Sequence, residues 1–183
     1  ADAASLATLI GGLVLLAATA ELLRLLVLAA LVRALPSPQP KTVPRWSVIT
    51  AAATLTDELL QAASRRLSGT LFWPIWLRAA GMRIGPGSEV STIIDVAPNL
   101  VTIGASSFLA DGIYLGGPEV RADTVTFGRI TLGDRAFVGN HAVLAAGCVL
   151  PDHSLIGVCT VADSRLPGLS SAQPPATNAP EAT

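Results

Sequence analysis

Aliphatic residues return every six positions along the second half of this chain: Leu132, Val138, Leu144, Leu150 and Ile156, with Ala162 next in phase. Four positions after each of the first five stands a small or compact residue: Ala136, Ala142, Cys148, Ser154 and Thr160. Glycine directly follows three of the aliphatics, at Gly133, Gly139 and Gly157. Neither an α-helix nor a flat strand has a period of six. A solenoid that turns a corner every six residues does, because each turn needs one large residue pointing inward and one small residue at the bend. The rhythm also runs earlier, through Ile84, Val90 and Val96, and after a one-residue slip through Ile103, Leu109 and Leu115. Hexads that close a triangular coil in threes stack Leu132 on Leu150, Val138 on Ile156 and Leu144 on Ala162. The predicted fold is therefore mainly β, a left-handed parallel β-helix of hexapeptide repeats about four coils tall, over residues 84–165.

Composition describes what surrounds that solenoid. Of 183 residues only 14% are charged, aromatics are 4% and the net charge is −1, while mean hydropathy is +0.57. So apolar a chain points to a membrane segment, and its near-neutral charge gives no support to a nucleic-acid partner. Cys148 falls on a small inward position and Cys159 one residue before such a position, facing outward. Neither belongs to a CxxC or Cys/His metal spacing, so no metal is expected and a reducing compartment is the simpler assumption. The first residue is not Met, and a processed product or a piece of something longer is expected.

Residues 1–35 are expected to be a transmembrane helix, since 3–35 are almost wholly apolar and interrupted only by Glu21 and Arg24. Those two are i, i+3 neighbours that pair on one helix face. They either hold this helix against a partner helix or form a polar element beside a substrate path. Pro36, Pro38, Pro40 and Pro44 end the helix and make 36–46 a stiff linker. Lys41, Arg45, Arg65, Arg66, Arg78 and Arg83 follow, against Asp2 alone before the span, which puts the β-helix on the cytoplasmic side. Residues 47–83 read as amphipathic or interfacial helices capping the β-helix. Trp73, Trp76 and Phe72 beside Arg78 suit either a membrane–water boundary or a cap on the open coil end. Gly116, Gly117 and Pro118 break the rhythm, so 116–131 is either a loop thrown out from a corner or a coil of slipped register. Residues 166–183, with Pro, Ser, Ala and Thr and no periodicity, read as a disordered tail.

Four stretches together resemble a known family: Gly69-Thr-Leu-Phe-Trp-Pro-Ile-Trp-Leu-Arg-Ala-Ala-Gly-Met-Arg-Ile-Gly85, Ser107-Phe-Leu-Ala-Asp-Gly112, Ala136-Phe-Val-Gly-Asn140 and Leu155-Ile-Gly157. They resemble the membrane-embedded carboxy-terminal region of nonribosomal peptide synthetases of the ε-poly-lysine synthetase type. In that family, adenylation and carrier domains precede transmembrane helices interleaved with soluble domains that resemble hexapeptide acyltransferases. The resemblance implies transfer of an aminoacyl unit from a carrier thioester to an amine. It also implies a donor, either acyl-CoA or carrier-bound phosphopantetheine, seated in a cleft between two β-helices, with no cofactor bound covalently. This chain has one β-helix and neither adenylation nor carrier domain. A neighbouring β-helix is thus expected in tandem or in a homotrimer, with a carrier protein, a small-molecule amine and the membrane as the other partners.

Acyl transfer to an amine needs a proton acceptor and donors that hold the thioester oxygen. His141 is the preferred base because histidine titrates near neutrality, and neighbouring Asn140 is the preferred donor to the carbonyl. As an alternative, His141 is a surface histidine at a coil corner. His153 stands twelve residues on, which puts it on a different face of the prism. Asp111, in a stretch shared with the family, either orients the base, binds the incoming ammonium, or is an ordinary turn residue before Gly112. Asp95, Asp134 and Asp152 read as corner residues, and nothing in the sequence argues a depressed thiol pKa for Cys159. The first functional reading is an amide-forming acyltransferase module. The second is a catalytically inactive β-helical scaffold within a larger membrane synthetase. A third, a zinc-binding β-helix of the carbonic anhydrase kind, needs three histidines from adjoining subunits, and two on different faces do not supply them.

Overall fold

A computed structural model describes residues 3–163, with side chains from Leu6 onward. The proposed disordered tail, 166–183, lies outside the described residues. Helix α1, Ala3–Ala34, begins the chain, and its Leu6–Ala34 portion is long and apolar enough to cross a membrane. From Leu6 to Ala20 every side chain is exposed. Only the last turns are packed: Ala29 and Val32 are buried, and Leu25 and Leu28 lie against the same core. Glu21 accepts from Arg24 at 2.7 Å, Arg66 approaches the same carboxylate at 3.7 Å, and Arg24 also donates to the carbonyl of Ala62 at 3.2 Å. The charges in α1 therefore tie it to the following helix.

That helix, α2, spans Val48–Leu67 and is capped by Ser47, whose hydroxyl oxygen accepts from the Thr50 N–H at 3.2 Å. It buries Ala52, Thr56, Leu60, Ala63 and Ser64, spaced by three or four to make one face. A short helix α3, Phe72–Ala79, follows and buries Trp73, Trp76 and Leu77. The two indoles stack with centroids 5.4 Å apart. Trp73 Nε1 donates to the Ser91 carbonyl at 2.9 Å, Trp76 Nε1 to the Leu25 carbonyl of α1 at 2.8 Å, and Gln61 Nε2 to the Ile93 carbonyl at 2.9 Å. An uncovered coil end would leave backbone groups and core exposed, and α2 and α3 close it. The aromatic run thus splits: both tryptophans face inward as a cap, while Leu71, Phe72 and Ile75 face outward.

Beyond Met82 the chain forms three stacked parallel sheets of four strands and visits them in cyclic order, a β-helix-like architecture. The first face holds Arg83–Ile84, Val101–Ile103, Ile130–Leu132 and Val149–Leu150. The second holds Glu89–Val90, Phe108–Leu109, Phe137–Val138 and Leu155–Ile156. The third holds Ile93–Ile94, Ile113–Leu115, Val143–Leu144 and Val161–Ala162. Leu132 pairs with Leu150, Val138 with Ile156 and Leu144 with Ala162, as the hexads require. The one-residue slip is also present, with Ile84 opposite Ile103 and Val90 opposite Leu109.

One position departs from the expected phase. The rhythm of the sequence puts Val96 in phase, but the third strand of the first coil is Ile93–Ile94, with Ile93 opposite Ile113. Val96 is buried outside any strand, and its N–H donates to Asp57 Oδ1 of α2 at 3.2 Å. This end coil rests on α2 instead of another coil, so the helix sets its path here.

The break at 116–131 is a projection from a corner. Glu119–Arg121 and Thr124–Thr126 form an antiparallel hairpin, and the rhythm resumes at Leu132, opposite Ile103. The proline-containing segment 36–46, expected as a linker, carries a strand of its own, Thr42–Pro44, antiparallel to Thr124–Thr126. Val43, Leu100, Val125 and Phe127 make a small second core beneath this sheet. The hairpin therefore straps the exit of α1 to the solenoid.

The corners obey a further rule. Three places after an inward aliphatic, Ser106, Arg135, His141, His153 and Cys159 all adopt φ between 54 and 61°. Such left-handed backbone costs a non-glycine residue about 1–3 kcal/mol unless its surroundings impose it. Here the N–H of each donates to a carbonyl of the preceding coil at 2.8–2.9 Å.

Candidate functional site at the corner between the second and third faces

The corner between the second and third faces collects polar side chains from successive coils. The first coil supplies Ser91 and Thr92, the second Asp111 and Gly112, the third Asn140 and His141, and the last Cys159. Backbone bonds fix their stacking: the His141 N–H donates to the Asp111 carbonyl at 2.9 Å and the Cys159 N–H to the Asn140 carbonyl at 2.9 Å. The Asp111 N–H donates to Asn140 Oδ1 at 3.1 Å. That bond orients the Asn140 amide and leaves its NH₂ end as the donor. Gly112 is required twice over: its φ is +69°, and a Cβ there would stand 2.4 Å from His141 Nδ1. The His141 imidazole therefore lies over Gly112, beside Asp111.

Asp111 is exposed but firmly held. Its Oδ1 accepts from the Ser91 hydroxyl and, at 3.2 Å, from the Thr92 hydroxyl. These contacts lower the carboxyl below its ordinary value. The Ser91 hydroxyl contributes most, followed by the Thr92 backbone N–H; the Thr92 hydroxyl and the positive charge of His141 add to it, and slight desolvation opposes it. Asp111 is thus an anion across the physiological range. Ser91 is also the residue whose carbonyl accepts from Trp73, so the cap helix and the carboxylate share one support.

A groove of about 240 Å³ opens here, lined by Ser91, Phe108, Asp111, Phe137, Asn140 and Val158. Phe108 and Phe137 stack along its wall with centroids 5.6 Å apart and planes 9° from parallel. Polar groups at one edge and an aromatic wall at the other suit a ligand with a reactive polar end and an apolar arm.

The structure thus brings Asp111, Asn140 and His141 to one place and leaves His153 elsewhere. His153 stands at the corner between the first and second faces, its N–H donating to the Asp134 carbonyl at 2.8 Å. Asp134 and Asp152 accept backbone N–H groups of the preceding coil, from Ala105 at 2.7 Å and from Asp134 at 2.8 Å, and serve the corner. Sequence reasoning missed Ser91 and Thr92. The slipped register that places Val90 opposite Leu109 was the signal that puts them beside Asp111. A second hollow, of about 220 Å³ between α2 and the hairpin, carries Asp57, Glu58 and Asp95. Burial raises the Asp57 carboxyl, against the Val96 N–H bond that lowers it. That hollow holds carboxylates, with neither histidine of the chain in its lining.

These features define a class: a β-helix-like domain with a polar corner groove, carried on a helix long enough to cross a membrane. No family model and no solved structure matches the chain. Over 104 residues, 55% of this chain, it is 38% identical to the Delta-poly-L-ornithine synthetase of Acinetobacter baumannii (strain AB307-0294). The match covers 8% of that relative, so the chain spans a small part of its length.

Proposed function

We propose that this chain is a membrane-attached β-helical acyltransferase module related to the poly-amino-acid synthetases. It forms amide bonds by moving an acyl or aminoacyl unit from a thioester to an amine. The observation that carries the reading is the meeting of Asp111, Asn140 and His141 at one corner, with Asp111 and Asn140 lining the groove and His141 beside it over Gly112. The likeness to a synthetase of poly-ornithine supports amide formation as the chemistry.

In this reading the donor is a pantetheine thioester, carried by a carrier protein or coenzyme A, and the pantetheine arm runs along Phe108 and Phe137. The amine nitrogen attacks the thioester carbon; a C–N bond forms, the C–S bond breaks, and the sulfur leaves as the thiol. His141 takes the proton that the nitrogen loses and returns it to the departing sulfur. The Asn140 amide NH₂ donates to the carbonyl oxygen as charge develops on it. Ionised Asp111 steadies the imidazolium or holds a second ammonium of the acceptor. The six-residue spacing supports left-handed winding. A neighbouring β-helix, in tandem or in a homotrimer, supplies the far wall of the cleft. The basic residues that follow α1 support a cytoplasmic position for the β-helix.

The scaffold reading keeps one observation on its side: Asp111, Asn140 and His141 are all exposed in this chain. Substitution separates the two readings. In vesicles, with an aminoacyl-pantetheine thioester and an amine, His141→Ala is expected to lower the amide yield by about 10²–10⁴-fold. His153→Asn, which keeps a residue that tolerates left-handed backbone, is expected to leave it unchanged. Equal rates in both variants would favour the scaffold.

A further inference from the structure

The side of α3 that turns away from the solenoid carries Leu71, Phe72 and Ile75, which are 84%, 68% and 58% exposed. Beside them α1 turns Leu22 and Leu26 outward, and between the two helices runs a groove of about 500 Å³. Its lining is apolar apart from Glu21 at the rim. The groove continues without a break into the exposed apolar surface that wraps the whole of α1 from Leu6 to Ala20. A surface that is apolar all round a helix asks for a partner that surrounds it, and a bilayer does so.

The charges set the level. Going along α1, the first ionised groups are Glu21 and Arg24, joined by Arg66 of α2. A cluster of three charges is costly in the hydrocarbon core and better suited to the lipid headgroup layer. From Glu21 to Leu26 the helix rises about 7 Å, roughly the thickness of one headgroup layer. The α3 helix is pinned at this height, since Trp76 Nε1 donates to the Leu25 carbonyl. Arg65 and Arg66 are both exposed at the end of α2, and Arg66 stands at the level of Glu21, 3.7 Å from its carboxylate.

We infer that the outer face of α3 is a second lipid contact, with Phe72 and Ile75 seated at the boundary between headgroups and acyl chains of an anionic leaflet. This rests on α1 crossing the bilayer. The seat has a consequence for the site. Trp73, next to Phe72, bonds the Ser91 carbonyl, and the Ser91 hydroxyl holds Asp111. The corner groove is thereby held at a fixed height over the lipid surface.

Single cysteines at Leu13, Phe72, Ile75 and Leu155, introduced into the full chain carrying Cys148→Ala and Cys159→Ser, test the inference. Each is labelled with an environment-sensitive fluorophore and reconstituted into phosphatidylcholine–phosphatidylglycerol vesicles. Labels at positions 72 and 75 are expected to be shielded from aqueous iodide and quenched by lipids bearing a shallow nitroxide. The label at 155, in the coil farthest from α3, is expected to show the reverse, and the label at 13 to be quenched by deep nitroxides. If position 13 meets lipid while 72 and 75 are quenched by iodide like 155, the lipid seat is wrong and the membrane reading stands. Shielding of 72 and 75 from both quenchers means that protein covers the groove, which also overturns the inference. If position 13 itself is open to iodide, the transmembrane reading fails first.

Discussion

Asparagine at position 111 is expected to cut amide formation by about 10²–10⁴-fold while the β-helix stays folded. The substitution preserves shape and keeps an oxygen that accepts from Ser91 and Thr92, so what it removes is the charge. The pH dependence gives a second reading of the same group. Because the folded carboxyl titrates below its ordinary value, its contribution to stability is present above the unfolded carboxylate value. It is lost only as pH falls through the lowered folded value. Stability that depends on ionised Asp111 should therefore persist into pH values where an ordinary aspartate is half-protonated. The Ser91 hydroxyl is the largest cause of the lowering, so Ser91→Ala is expected to move this acid limb of the stability curve upward. In Asp111→Asn the contribution is absent. Urea titration of the three proteins at a series of acid pH values measures this, and an unchanged limb in Ser91→Ala would show that Asp111 does not govern it.

Removing the indole at position 73 is expected to have the largest effect on stability. Trp73 has no exposed surface, stacks on Trp76 and bonds the Ser91 carbonyl across the open end of the solenoid. Large-to-small replacement of a buried aromatic costs about 3–5 kcal/mol. Trp73→Ala also leaves the Ser91 carbonyl without its donor. Trp73→Phe keeps most of the packing and forfeits the N–H, for a cost of about 1 kcal/mol. Urea titration in a fixed detergent is expected to rank the wild type above Trp73→Phe and Trp73→Ala far below both. A shift of under about 1 kcal/mol for Trp73→Ala would mean that α3 is not the cap that completes the core. Since Ser91 carries both the cap bond and the Asp111 contact, Trp73→Ala should also lower activity in the protein that remains folded.

The solenoid was legible in the sequence because its signal repeats. Each inward aliphatic, from Leu132 to Ile156, predicts the next, and vertical pairs such as Val138 on Ile156 follow from spacing alone. The meeting of Asp111 with Asn140 and His141 was only half legible: each was singled out, but their contact depends on how far the hairpin at 119–126 displaces one coil from the next. That hairpin, and the Thr42–Pro44 strand paired to it, consist of three-residue strands, too short for any period to register. Val96 misled because a rhythm read outward from the middle of a solenoid does not anticipate a helix replacing the neighbouring coil at its end. The tryptophans stood between two readings, membrane boundary and coil-end cap, for a related reason. Composition places aromatics near a membrane, but only the packed structure shows that Trp73 and Trp76 face the core while Phe72 and Ile75 face away. The left-handed backbone at His141 had no local signal, since histidine commonly occupies other conformations; its place three residues after Val138 was the clue.

The chain contains two histidines, and they stand at different corners, which gives the central claim its own internal control. With the imidazoles labelled by ¹⁵N, a non-hydrolysable aminoacyl-pantetheine thioether is added to the full chain in nanodiscs, and both ring signals are followed. The reaction site assigned here requires the His141 signals to shift in a saturable way while those of His153 stay in place. Equal shifts at both histidines, or a saturable shift at His153 alone, would contradict it.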